Sequence, residues 1–227
     1  MLQLGDMSQV GEFGFTRPDA SERLSPAANL IYGVGALASR MVQVERTICN
    51  HPGGRAENDA EHSYMLALVA TSLAEEYFPE LDSGLVSKYS NVHDLPESYV
   101  GDTPTHVISA AGLQAKADLE ADGLRRLVEE YKGITPKLVK IMQDYEAQAD
   151  PESRFVRMVD KLLTVSIQFP DGGETIVRAM DRRGHEDMVR TRIQRFSKNY
   201  PDQKAVLDLY DELAEFMRSL HYPPDGD

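Results

Sequence analysis

The chain has 227 residues, 41% of them hydrophobic, which is enough for one domain with a sizeable core. Its formal net charge of −13 argues against nucleic acid or an anionic membrane as the main partner, because phosphate surfaces attract Lys and Arg and repel this chain. A single cysteine, Cys49, excludes an internal disulfide, no apolar run reaches the roughly 18 residues of a membrane span, and Met1 to Pro26 is too polar for a signal peptide, so a soluble cytoplasmic protein is expected.

Residues 1–26, with their glycines and prolines, read as an arm that is loosely ordered or docked on a partner, and residues 27–227 read as one helical domain. From Ala27 to about Cys49, the positions Leu30, Ile31, Val34, Leu37, Met41, Val42 and Ile48 approximate a 3.6 period and predict a helix. After the breaker His51-Pro52-Gly53-Gly54, Asn58 and Glu61 have the spacing of a capping box, which places His62 in the first turn of a second helix. Asp82 caps a third helix, and Pro96 pushes Leu95 out of the α region, so that helix should end just after His93 and Asp94. Glu97 falls in the turn that follows.

His106 to about Lys132 and Pro136 to about Ala147 are helix-forming. Asp150-Pro151-Glu152 is an N-cap, a first-position proline and an acid in sequence, opening a helix to about Phe169. Two amphipathic helices close the chain, at about His185 to Asn199 and Gln203 to Leu220. No strand pattern competes, and the expected fold class is all-α.

Asp160 lies in or beside the apolar stripe of Val156, Val159, Leu163 and Ile167, and an ionised carboxylate there needs a cation. Taken singly, Asp160 is explained by pairing with Arg157 or Lys161, and His62 by an ordinary hydrogen bond. Together, His62, His93, Asp94 and Asp160 make a different case. Two neutral imidazoles and two carboxylates carry −2, which offsets a divalent cation and leaves positions open for water and substrate.

This arrangement resembles the HD-domain metal-dependent phosphohydrolases, whose pattern is a His, a His-Asp pair and a later Asp. The segments E-N-D-A-E-H-S, H-D-L-P-E, G-D-T-P-T and V-R-M-V-D-K-L look like the small bacterial 5'-deoxynucleotidase branch, over roughly Arg46 to Ile167. The resemblance implies a single HD-type helical bundle (core motifs in 46–167) with additional C-terminal helices. It further implies one divalent ion (Co, Mn, Fe, Zn or Mg) on His62, His93, Asp94 and Asp160, with Glu97 beside the attacking water and Asp102 near the leaving oxygen. Arg46 would reach the nucleotide; Arg55, Thr103 and Thr105 are further candidates for its phosphate. Thr47 follows Arg46 where the nucleotidases carry tryptophan, and this chain has none, a departure near the sugar. The expected activity is hydrolysis of nucleoside 5'-monophosphates to nucleoside and phosphate, by a homodimer. Two alternatives stand beside it, a dNTP triphosphohydrolase and a non-catalytic, metal-stabilised binding module.

Overall fold

Helix starts in this chain are written locally. The Ser25 hydroxyl accepts from the Ala28 N–H with Pro26 at the first helical position, and this cap opens α1 (Pro26–Met41). The computed structural model describes residues 24–49, 55–102, 110–166 and 180–222. The expected arm at 1–26 therefore lies almost wholly outside the described residues.

α1 ends at Met41, and the helix expected to run on to Cys49 does not. Glu45–Cys49 form a strand, β1, paired antiparallel with β2 (Ala56–Asn58), Glu45 opposite Asn58 and Cys49 opposite Ala56. Ile48 keeps the helical spacing from Met41, but Thr47 and Ile48 are β-branched neighbours that suit a strand, and pairing with β2 prevails over that spacing. The expectation that no strand competes was therefore wrong for this hairpin, although the fold as a whole is an all-α bundle.

The capping box opens α2 (Asp59–Tyr77): Asn58 Oδ1 accepts from the Glu61 N–H at 3.0 Å, and Glu61 Oε2 accepts from the Asn58 N–H at 3.1 Å. Asp82 accepts from the Leu85 N–H at 3.0 Å and starts α3 (Ser83–Val92), after which residues 93–96 turn into the one-turn helix α4 (Glu97–Val100). Next come α5 (Ala110–Tyr131), α6 (Pro136–Ala147) and α7 (Pro151–Ser166). Asp150 Oδ1 takes the Ser153 N–H at 2.7 Å at the start of α7, as its sequence foretold. α8 (Arg182–Asn199), a 3-10 turn at Pro201–Gln203 and α9 (Lys204–His221) follow. None of the described helices is long and apolar enough to cross a membrane.

Two apolar clusters hold these elements. Leu66, Val86, Tyr89, Phe155, Val159 and Tyr210 belong to one, joining α2 and α3 to α7 and the C-terminal helices. Leu37, Val92, Leu95, Leu127 and Val139 belong to the other, joining α1 to α5 and α6. α3 contributes to both, and the turn that leaves it is gripped on two sides. α5 approaches that turn closely: a Cβ on Gly123 would stand 2.5 Å from the Pro96 carbonyl oxygen.

In the C-terminal pair, His185 is buried with its ring 5.7 Å from that of Tyr222. Burial first, and then the Arg218 and Arg192 guanidinium groups, lower its pKa from 6.5 to about 4.

Gly123→Ala should destabilise the fold by about 1–3 kcal/mol through overpacking against Pro96, whereas Gly133→Ala, with open space around it, should be near neutral; urea unfolding compares them. The depressed His185 pKa means that the unfolded chain takes up the proton first. Its contribution to stability is complete above pH 6.5 and is lost as pH falls toward 4. Partial solvent screening holds this loss to the order of 1–2 kcal/mol, read as the pH-dependent difference in denaturation midpoint between the wild type and His185→Gln.

Candidate metal centre

His62 is fully buried in the first turn of α2, and His93 is buried at the end of α3. Their ring centroids lie 5.4 Å apart. One ligand atom each from His62, His93 and Asp94 falls within 4.8 Å of the others, and the same is true of Asp59, Asp94 and Glu97. Asp160, from α7, joins through His62, whose Nε2 is 3.0 Å from Asp160 Oδ1. The four expected ligands, drawn from α2, the turn after α3, and α7, thus converge.

The tautomer of His93 tests whether a cation fits. His93 Nδ1 is 2.9 Å from the Ser90 carbonyl, which can only accept, so Nδ1 carries a proton and Nε2 is the atom left to face a cation. Nε2 faces Asp94 Oδ2 at 2.8 Å, a contact that either a proton or a metal cation between the two atoms accounts for. Two electron-rich atoms at this distance call for a positive charge shared between them, and a neutral imidazole oriented by a backbone carbonyl is the usual form of a metal ligand. Among the described residues, His62 Nδ1, Asp59 Oδ2 and Glu97 Oε2 are buried without a hydrogen bond. These clusters are suited to one divalent ion.

The electrostatics agree. Burial raises the Asp160 pKa, but Lys161, with Nζ 2.5 Å from Asp160 Oδ2, and His62 overcome it and hold the group well below the usual carboxylate range. Asp94 is likewise lowered, because His93 and Arg46 outweigh its burial. Burial opposes protonation of His62, yet its contacts with Asp160 and Glu57 push it up to about 9. Glu97 is driven the other way, well above the usual range, by burial and by the Asp94 charge. Lys116 of α5 answers that charge, with Nζ at 3.3 Å from Glu97, 3.6 Å from Asp102 and 3.2 Å from Glu120.

Arg46, on β1, donates from Nη1 to Asp94 Oδ2 at 2.8 Å and to Asp59 Oδ1 at 3.1 Å, so it stands at the centre. Arg55 stands apart, exposed and paired with Glu61 at 2.9 Å and 3.1 Å. Thr103 and Thr105 lie outside the described residues. Sequence reasoning passed over Glu57, Asp59 and Lys116. Asp59 carried a signal, since it precedes His62 by one helical turn and shares its face. Glu57 carried none without the strand, and Lys116 none before α5 is docked.

Two histidines and several buried carboxylates thus come together inside a helical bundle, a candidate metal centre. Residues 38–204 match the HD domain family model, and the chain belongs to that family. In fold it is similar to a protein of Magnetospirillum magnetotacticum MS-1 described as a predicted metal-dependent phosphohydrolase, with a TM-score of 0.67 and 22% identity over 87% of this chain and 98% of the other. A conserved hypothetical protein of Pyrococcus furiosus (TM-score 0.52, 22% identity, 83% and 99% covered) and a protein of Pyrococcus horikoshii OT3 (0.54, 21%, 79% and 96%) share it too. A 5'-deoxynucleotidase of Schizosaccharomyces pombe is 23% identical over 120 residues, which are 51% of this chain and 58% of that protein. The match thus spans little more than half the length of that curated relative.

Ion binding should be measurable as stability. Added Mn2+ at about 100 times its Kd should raise unfolding free energy by about 2.7 kcal/mol, and EDTA should reverse the gain. His93→Ala should abolish the metal-dependent rise in melting temperature, and an unchanged rise would remove His93 from the ligand set.

Proposed function

We propose that this chain hydrolyses nucleoside 5'-monophosphates, deoxynucleotides foremost, to nucleoside and phosphate. The observation that carries the chemistry is the buried Glu97 carboxylate, grouped with Asp59 and Asp94 next to the two histidines. A structural ion would gain nothing from a second acid held there. The motif resemblance and the match to a deoxynucleotidase support the choice of substrate class.

In this reading His62, His93, Asp94 and Asp160 hold the cation. A divalent ion in such a site supplies Lewis acidity, which polarises a phosphoryl oxygen and makes water acidic enough to attack near neutral pH. Glu97 orients the attacking water and accepts its proton; its burial and the Asp94 charge make it a better base than an exposed glutamate. Asp102 assists departure of the 5'-oxygen, and the proton that Glu97 takes from water is the one available to the leaving oxygen. Lys116 spans Glu97 and Asp102 and offsets part of their charge. Arg46 and Lys161 give the substrate's phosphate a positive approach in a chain that is otherwise acidic.

Glu97→Gln, nearly isosteric, should keep metal binding and lose about 10²- to 10⁴-fold in kcat. Retained turnover with metal bound would remove Glu97 from the reaction. Products decide the substrate class: orthophosphate from monophosphates is expected, and inorganic triphosphate released from a dNTP would move the chain to the triphosphohydrolases.

A further inference from the structure

The two groups of potential ligands share Asp94. One group adds His62 and His93 to it and the other adds Asp59 and Glu97, each group close enough to hold an ion. Asp59 is fully buried and Glu97 nearly so, and Asp59 Oδ2 and Glu97 Oε2 have no hydrogen bond. By chemistry alone the second group is also a cation site, with Asp94 as the bridging carboxylate.

A cation already stands there. One guanidinium nitrogen of Arg46 bridges Asp94 Oδ2 at 2.8 Å and Asp59 Oδ1 at 3.1 Å, with its side chain 13% exposed. We propose that the Arg46 guanidinium occupies the second cation position of this centre and thereby restricts it to one metal ion. The inference rests on the metal-centre reading above, and it extends that reading to how many ions the site takes.

The contacts support this assignment. Arg46 takes one oxygen of Asp94 and one of Asp59, two of the three acids that a second ion would need. A second divalent ion would have to displace the guanidinium from both. Arginine is suited to the position because it stays protonated at every accessible pH and cannot dissociate from the chain as a metal can. β1 supplies it: the strand carries Arg46 alongside β2, where Asn58 is opposite Glu45 and Asp59 follows directly. The Asp59 N–H also donates to the Val44 carbonyl at 3.0 Å, which ties the acid's backbone to the arginine's strand.

The experiment counts Mn2+ bound per chain by equilibrium dialysis with elemental analysis, and records the electron paramagnetic resonance of the loaded protein. Wild type should bind one ion with an uncoupled Mn2+ signal. Arg46→Ala should bind two with the spectrum of an exchange-coupled pair, and Arg46→Lys should still bind one. Arg46→Gln keeps a donor for Asp59 without the charge, should also bind two, and serves if the alanine variant fails to fold. Adding Asp59→Asn to either should return the count to one.

One ion in folded Arg46→Ala or Arg46→Gln overturns the inference while leaving the metal-centre reading intact, and two in the wild type overturns it from the other side. No Mn2+ bound by the wild type would overturn both.

Discussion

The centre depends on Asp94 being held as an anion in a place where an isolated anion is not stable. Burial alone would favour its neutral form, and His93 and Arg46 reverse that preference. The same carboxylate belongs to both ligand groups, so its charge sets the state of its neighbours. It raises the proton affinity of Glu97 and adds to that of Asp59, which stands at about 8 chiefly through burial. Raised affinity at Glu97 beside lowered affinity at Asp94 and Asp160 separates a proton acceptor from two carboxylates held as anions.

Rigid packing makes that arrangement possible. The four candidate ligands come from three elements far apart in the chain, so their relative positions are only as fixed as α2, α3 and α7. Those three helices share the cluster built on Leu66, Val86, Tyr89, Phe155 and Val159. The turn from His93 to Glu97 is gripped from the other side by Leu37, Leu127 and Val139 through Val92 and Leu95, and by the close approach of Gly123 to Pro96. Acids on this scaffold keep their places although they repel one another, because moving them would open two cores at once.

Much of the fold was legible because helix ends are local events. Ser25, Asn58, Asp82 and Asp150 each accept from an N–H three residues on, and that interaction needs nothing beyond the segment itself. The hairpin escaped notice because β1 is five residues long and β2 three, too short for a period to register, and because its pairing crosses a break between them. Asp160 could be singled out since a carboxylate in an apolar stripe is costly, a physical anomaly on a single helix. Lys116 could not, because on α5 it looks like any exposed lysine until that helix lies against Glu97.

By itself the sequence determined which residue types could form the centre and where the helices begin, since both follow from composition and from interactions spanning a few residues. It also placed His62, His93 and Asp94 at helix ends, where side chains can converge without breaking a helix. Tertiary structure alone decided the partners. It turned Arg46 toward Asp59 and Asp94, left Arg55 on the surface with Glu61, and brought Lys116 between Glu97 and Asp102. Charges interact through distance and dielectric, and neither exists for residues far apart in the chain until the cores have closed around them.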